Sequence, residues 1–357
     1  MSTEAEPGLT LAIDAMGGDH APEVVIDGLA QVNRRYPGVR FLVFGDQARV
    51  VPILNKYAGL SGQVEFEHTP DVVTADMKPS VALRKGRSSS MGLAVQAVSS
   101  NRAQGVVSAG NTGAYMALAM LAMRMIPGIH RPAMCKQMPT MRGQTLVLDL
   151  GANVECSPQN LVQFAVMGEF YAREVLGVLA PTVGLLNVGS EETKGSPSVK
   201  EAAILIRESQ KQNNPLVENF HGFIEGNDIG AGTVDVVVAD GFSGNIALKT
   251  AEGTAKMIVS FLKEAFSSNL KAKIGYLLAK SALDDLLGRR LDPRWYNGAI
   301  FLGLNGVAIK SHGGTDAVGY AHAVEMAIKT VKIGLNAKIK NAFETRVEVP
   351  SSVLGCL

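Results

Sequence analysis

The chain lacks most of what marks several large protein classes. It has 3 cysteines in 357 residues, and Cys135, Cys156 and Cys356 include no pair at zinc-ligand spacing. That excludes a disulfide framework and fits a reducing, cytosolic setting. The opening MSTEAEPG has neither the basic start nor the apolar run of a secretory signal. The apolar stretch from Tyr115 to Ile126 is interrupted by Arg124 and is too short to span a bilayer. Cysteine stands next to last in the ending LGCL, which is the wrong place for prenylation. A formal net charge of +1 gives no global pull on nucleic acid or on a strongly acidic partner. No Pro/Ser-rich linker or low-complexity run divides the chain. Disorder is excluded by a hydrophobic content of 46%, enough for a substantial core.

What the chain has in abundance is glycine, 38 residues, concentrated in a repeated phrase. An apolar run ends in a Gly/Asn/Asp loop, and a helical pattern follows. Five copies are LTLAIDAMGGDHAP from Leu9, GVVSAGNTGA from Gly105, LVLDLGANVECSP from Leu146, VGLLNVGSEETKGSP from Val183 and VDVVVADGFSGN from Val234. Short β-branched runs feeding helices predict βα units of a mostly parallel sheet. Ligands of such sheets bind beyond the carboxyl ends of the strands, where these loops sit. Glycine lets backbone approach a ligand, and the N–H groups of a helix start attract anions. The pattern points to an enzyme site for an anionic, phosphate-bearing ligand. We expect one α/β unit over residues 1–343, with a helical excursion at about 253–290 and a C-terminal tail at 344–357.

The loops supply the candidate residues. In the first, Asp14 ends the strand, Gly17 and Gly18 turn the chain, and His20 precedes Pro22, which suits the first turn of a helix through EVVIDGLAQVNRRY. His20 either bonds to nearby backbone or lines the site. The loop is not G-x-G-x-x-G, so a dinucleotide fingerprint fails. KPSVALRKGRSSS carries Arg84, Lys85 and Arg87 ahead of Ser88–Ser90. The serines suit helix capping, and the cations suit either a solvated turn or an anionic partner. In SAGNTGA, Gly110 and Gly113 bracket Asn111 and Thr112. A bound oxyanion would satisfy that helix start, with both side chains as added donors.

LDLGANVECSPQN repeats the logic with Asp149, Gly151 and Asn153, then Ser157-Pro158 as a helix start. Cys156 has no histidine neighbour and is expected to be a structural thiol. NVGSEETKGSP holds Asn187, Gly189 and Lys194, a glycine-flanked lysine able to reach a cleft as a point charge. ADGFSGN adds Asp240, Gly244 and Asn245, and His312 precedes two glycines in IKSHGG. The strand-end carboxylates Asp14, Asp149 and Asp240 would repel phosphate. They are expected to accept loop N–H bonds, orient a cation or hold a metal, although no metal-ligand spacing stands out.

From Gly253 to Leu287 the pattern is helical, with Ile258, Phe261, Leu262, Leu270, Ile274, Leu277 and Leu278 interleaved with Lys263, Lys271, Lys273 and Lys280, and Arg289-Arg290 closing it. Such a basic amphipathic hairpin packs on a core, forms a dimer interface or lies in a membrane interface. By base rate, core or dimer packing comes first.

Taken together and in order, IDAMGGDHAP, KPSVALR, SAGNTGA, LDLGAN, SEETKGS, DGFSGN and IKSHGG resemble the bacterial acyl-ACP:phosphate acyltransferases of phospholipid synthesis, over nearly the whole chain up to about Glu344. The resemblance implies a three-layer α/β/α fold like the isocitrate/isopropylmalate dehydrogenases and phosphotransacetylases. It implies a homodimer, no cofactor, and a cytoplasmic enzyme attached peripherally to the inner face of the membrane. It also implies that Lys194 and Asn245 match the family's catalytic lysine and asparagine, and that a membrane glycerol-3-phosphate acyltransferase acts downstream. In that chemistry inorganic phosphate attacks the thioester of acyl carrier protein, giving acyl phosphate and free thiol. Glycine-loop N–H groups and Lys194 would cradle phosphate, and Asn245 or backbone N–H groups would meet the oxyanion. Arg84, Lys85, Arg87, Lys271 and Lys273 are candidate docking points for an acidic carrier protein. Rival readings are a phosphotransacetylase acting on acyl-CoA and a phosphate or lipid carrier without turnover.

Overall fold

In the computed structural model, residues 8–211, 215–285, 292 and 294–346 are described. Leu287, Arg289, Arg290, Cys356 and most of the tail expected at 344–357 therefore lie outside the described residues. The strands are β1 (Thr10–Asp14), β2 (Arg40–Gly45), β3 (Val64–His68), β4 (Gly105–Ser108), β5 (Ala133–Thr140), β6 (Gly143–Leu148), β7 (Thr182–Leu186), β8 (Asn219–Ile224), β9 (Val236–Val238), β10 (Ala299–Leu302) and β11 (Val307–Lys310). The helices are α1 (Glu23–Arg35), α2 (Gln47–Leu54), α3 (Pro79–Lys85), α4 (Ser90–Ser99), α5 (Thr112–Met123), α6 (Pro158–Glu174), α7 (Pro197–Ser209), α8 (Gly226–Ala231), α9 (Gly241–Ser267), α10 (Leu270–Asp285), α11 (Ala317–Ile333) and α12 (Leu335–Arg346).

All strands belong to one 11-stranded sheet, in the order β3-β2-β1-β4-β11-β10-β5-β6-β9-β7-β8. Every pairing is parallel except β11–β10, β10–β5 and β5–β6. The β5–β6 reversal is a hairpin in which only Met141 and Arg142 separate the strands. These reversals turn the sheet's second half against its first. Strands β1, β2, β3, β4 and β11 point one way, and β6, β7, β8 and β9 point the other. The glycine loops consequently fall into two sets, a division that the repeated phrase did not reveal.

Both sheet faces are covered, which makes the three-layer α/β/α arrangement. Ile13 and Val107 join a core with Ile26 and Leu29 of α1, Phe164 of α6 and Val324 of α11. Ala12 and Val106 pack oppositely with Val95 of α4, Leu118 of α5 and Leu248 of α9. Burial on both sides is why these strands read as continuous apolar runs. Tyr115 is fully buried here, its hydroxyl donating to the Val106 carbonyl at 3.0 Å.

Helix starts follow local chemistry. Ser89 caps α4 by accepting from the Gly92 N–H at 3.1 Å, and Ser157 caps α6 in a capping box with Asn160. Pro22 takes the capping position before α1, not a place within its first turn.

The excursion differs from expectation at its start. α9 is one helix from Gly241, because Gly253 neither caps nor stops it. Beyond Leu248 it leaves the sheet and pairs with α10, where the rings of Phe266 and Tyr276 lie 5.5 Å apart. Within one chain the hairpin is not core-packed: Phe261 is 60% exposed, Leu277 70% and Leu278 81%. No described helix is long and apolar enough to cross a membrane.

Candidate functional site

The first set of loops follows β1, β4 and β11. Asp14 is buried, and its carboxylate accepts from Ser90 Oγ and Ser108 Oγ, both at 2.6 Å, and from the Met16 N–H at 3.2 Å. Burial raises its pKa, and these hydrogen bonds oppose the rise. A Cβ on Gly17 would stand 2.5 Å from that carboxylate and 2.7 Å from the Gly110 nitrogen, so only glycine fits. The Asp19 N–H donates to the Gly313 carbonyl at 2.9 Å and binds the first loop to the last. Asp14 therefore organises the loops through bonds to protein groups.

Asn111 departs from its expected role as a substrate donor. Its Oδ1 caps α5 by accepting from the Ala114 N–H at 3.0 Å, and its Nδ2 donates to the carbonyls of Thr74, Ala75 and Met77. With those bonds made, its amide has no donor left for a ligand. Thr112 and Gly113 are half-buried, and their N–H groups take no partner among the described residues. The His20 side chain is exposed and makes no bond to backbone; only its carbonyl is used, accepting from the Val24 N–H.

The His312 side chain is exposed, and its Nδ1 accepts from the Gly314 N–H at 3.1 Å. Burial first, then the nearby Lys249 charge, holds its pKa below the ordinary value. Around it stand residues that sequence reasoning missed: Lys310, Lys136, Lys249 and Glu252. Lys310 is 9% exposed, and burial lowers its pKa to about 8 although Asp14 and Asp19 oppose that shift. Glu252 joins Lys136 at 3.3 Å and Lys249 at 3.0 Å. The available signal was a lysine inside an otherwise apolar β-branched strand, VAIK, where a charge needs a reason.

The second set follows β6, β9 and β7. Asp149 is buried, accepting at Oδ1 from the N–H groups of Met134 (2.8 Å) and Ala152 (3.0 Å) and at Oδ2 from the Asn153 N–H (2.7 Å) and amide (2.9 Å). Asp240 caps α9 through Ser243, at 2.8 Å to both its N–H and its hydroxyl. Hydrogen bonds within the loops thus account for all three strand-end carboxylates. Among the described residues no group of three or more His, Cys, Asp and Glu side chains could hold a metal ion.

Gly151, at φ +124°, places backbone against Asn245: a Cβ there would lie 3.2 Å from the Asn245 amide nitrogen. Gly244 presses on the Asp149 carbonyl with no room for a side chain. Asn245 is half-buried and donates once, to the Leu150 carbonyl at 3.0 Å, leaving one amide N–H and its Oδ1 without a partner among the described residues. Asn187 donates to the carbonyls of Gly189 and Lys194, each at 3.1 Å, and so shapes the lysine loop. The Lys194 side chain is exposed and has no ion pair among the described residues. Cys156 is partly buried, and burial, followed by the Asp149 charge, pushes its thiol up to about 12. A thiol held protonated is a poor nucleophile, in keeping with the structural role expected for it.

Helix α9 joins the two sets. Asn245, Lys249 and Glu252 are spaced i, i+4, i+7 and share one helix face. Asn245 stands at the second set, while Lys249 and Glu252 reach the first, one to two turns or roughly 6–11 Å along the helix. The first half of α9 therefore spans both sets, with Asn245 bonded to Leu150 and Glu252 paired with Lys136. Arg84, Lys85 and Arg87 are exposed at the end of α3, and Lys271 and Lys273 are exposed on α10. A separate cavity of about 510 Å³ lies between α6 and α11, lined by Tyr171, Trp295 and His322, and contains none of the expected site residues.

Residues 9–338 match the family model described as "Fatty acid synthesis protein". A phosphate acyltransferase of Rhodospirillum centenum is 58% identical over 331 residues, covering 93% of this chain and 92% of its own. That of Paramagnetospirillum magneticum is 55% identical over 336 residues, covering 94% of each. Among solved structures, EutD phosphotransacetylase from Staphylococcus aureus aligns with a TM-score of 0.56 at 16% identity, covering 91% of this chain and 94% of its own. A phosphotransacetylase from Streptococcus pyogenes gives 0.56 at 17% identity over 94% of each chain. These structural likenesses establish the fold alone, the three-layer α/β/α class expected from the sequence. The chain belongs to the phosphate acyltransferase family.

Proposed function

We propose that the protein transfers an acyl group from acyl carrier protein to inorganic phosphate, giving acyl phosphate for phospholipid synthesis. The observation that carries this reading is identity of 58% across 93% of the chain with a phosphate acyltransferase. The cleft geometry supports it: an amide with a spare donor at Asn245, an exposed cation at Lys194, and a cationic group beneath α9.

In the reaction, a phosphate oxygen attacks the thioester carbonyl carbon. A C–O bond forms, the C–S bond breaks, and its electron pair leaves on sulfur, which takes up a proton. Phosphate is already anionic at neutral pH, so no general base is required to make the nucleophile. The N–H of Asn245 donates to the developing oxyanion, and Lys194 offsets the negative charge that builds up as the thioester is attacked. Thiolate leaves readily because an ordinary thiol pKa is about 8.5.

The carrier protein is acidic, and the exposed Arg84, Lys85 and Arg87 provide a complementary surface. The exposed apolar side chains of the α9–α10 hairpin are of the kind that mark an interface. We assign them to a second copy of the chain or to the membrane surface, which would place the enzyme at the cytoplasmic face. One rival reading has acyl-CoA as the donor. Rates with acyl carrier protein and acyl-CoA at matched concentrations decide between them: a strong preference for the carrier protein is expected, and equal or higher rates with acyl-CoA would overturn it.

A further inference from the structure

A buried ammonium without a counter-ion is costly, because desolvation is not repaid by pairing. Lys310 is in that position. Its Nζ donates to the carbonyls of Ala109, at 3.2 Å, and Ser311, and to no carboxylate among the described residues. Asp14 is engaged with Ser90, Ser108 and Met16, and Asp19 is exposed and acts on Lys310 only through space.

A second lysine faces the same gap. In β10, Ala299 pairs with Lys310 and Ile300 pairs with Cys135, so Lys136 stands opposite Ala299 on the other side. Lys136 and Lys310 flank one alanine on the α9 face of the sheet, two strand spacings or roughly 10 Å apart at their Cα atoms. Alanine puts no long side chain between them. Lys249 approaches from α9, and Glu252 is the one carboxylate in ion-pair contact with Lys136 and Lys249 among the described residues. His312 completes the ring. Its Nδ1 accepts from Gly314, so the neutral ring carries its proton on Nε2 and offers a donor there. The one carboxylate in ion-pair contact here, Glu252, serves Lys136 and Lys249, and Lys310 has only Asp14 and Asp19 acting on it through space.

We propose that Lys136, Lys310 and His312 form the seat of the phosphate group that acts as nucleophile, with Lys249 closing it from α9. This rests on the phosphate acyltransferase reading and names which residues of that cleft hold phosphate before it reacts. The seat is well placed for attack. Asn245 is bonded to Leu150, Leu150 is bonded to Met134, and Lys136 lies two residues further along β5, roughly 7 Å from Met134. Such a spacing lets phosphate sit on the lysines while the acyl oxygen meets the Asn245 amide. Lys194 then acts during turnover and is not needed for phosphate to bind.

The test is calorimetric titration of inorganic phosphate into the full chain as wild type, Lys310→Met, Lys136→Gln and Lys194→Ala. Phosphopantetheine is titrated in parallel, since the carrier's prosthetic arm also bears a phosphate group. Loss of a charge-assisted contact is expected to weaken inorganic phosphate at least roughly tenfold in the first two variants and to leave Lys194→Ala near wild type. The KM for phosphate should rise in step in Lys136→Gln, with the KM for acyl carrier protein unchanged. Lys136→Gln keeps the test open should Lys310→Met fold poorly. Unchanged phosphate affinity in Lys136→Gln, or weakened phosphopantetheine with intact inorganic phosphate, overturns the proposal. Failure of the wider reading shows differently, as wild-type thioester loss that does not depend on phosphate.

Discussion

The two loop sets are built alike and equipped differently. Each rests on a buried aspartate, Asp14 or Asp149, whose oxygens accept several loop hydrogen bonds. Above Asp14 the charged group on offer is Lys310, fixed in a strand and almost without solvent. Beyond Asp149 the groups on offer are an exposed lysine on a loop and an asparagine with one unused donor. A fixed, poorly solvated charge suits binding of a small anion that arrives repeatedly in the same pose. A solvent-exposed charge and a spare donor suit groups whose charge changes during reaction. The lesson is that similar glycine loops need not share a task, and α9 is what lets them work on one substrate pair.

The comparison breaks first at its shared foundation. Asp149→Ala leaves four loop donors unsatisfied in a buried place, and should cost on the order of 3–5 kcal/mol of stability. Chemical denaturation measures this directly; a change below about 1 kcal/mol would show that the aspartate is not what organises the loop. Next come the two groups of the second set. Lys194→Ala and Asn245→Ala should keep wild-type melting behaviour yet lose turnover by roughly 10²-fold or more, the usual consequence of removing a transition-state donor. Near-wild-type rates in either variant remove that residue from the mechanism.

The fixed charge makes a pH prediction. Lys310 has an ordinary pKa of 10.5, lowered to about 8 in the fold, with Asp14, Asp19 and Lys249 as its charged neighbours. Between those values the unfolded chain binds more protons than the folded one, so stability rises with pH across that window. The penalty is complete below about pH 8, at most on the order of 3 kcal/mol. Lys310→Met should flatten the rise, and saturating phosphate should flatten it in the wild type. A stability curve that falls between pH 8 and pH 10 in wild type but not in the variant would contradict the assignment.

The smallest effect belongs to the hairpin. Leu277→Ser with Leu278→Ser should change the stability of the single chain by no more than about 0.5 kcal/mol, since both are exposed. Sedimentation with and without anionic vesicles should nevertheless shift. If neither self-association nor vesicle binding changes, that surface has no such partner.

Much of this was legible from the sequence because its causes are local. A β-branched run, a glycine turn and a capping serine or aspartate specify one strand, one loop and one helix start. Lys194 stood out as a lysine in a glycine-flanked loop, and Asn245 through the resemblance that DGFSGN carries. The reversal of half the sheet was not legible, because it comes from three antiparallel pairings in the middle of the sheet, one of which, β10–β5, joins strands far apart in the chain. Nor was the role of Asn111, whose amide holds carbonyls more than thirty residues away in sequence. Lys136 and Lys310 escaped for the same reason: they meet only because β10 inserts between their strands with its small Ala299.

The most direct measurement mixes purified protein with a long-chain acyl carrier protein, with and without inorganic phosphate, and follows released thiol together with hydroxylamine-trappable acyl phosphate. The account predicts that both products appear in equal amounts and only with phosphate. Thiol release without phosphate, or phosphate binding with no release at all, would contradict it.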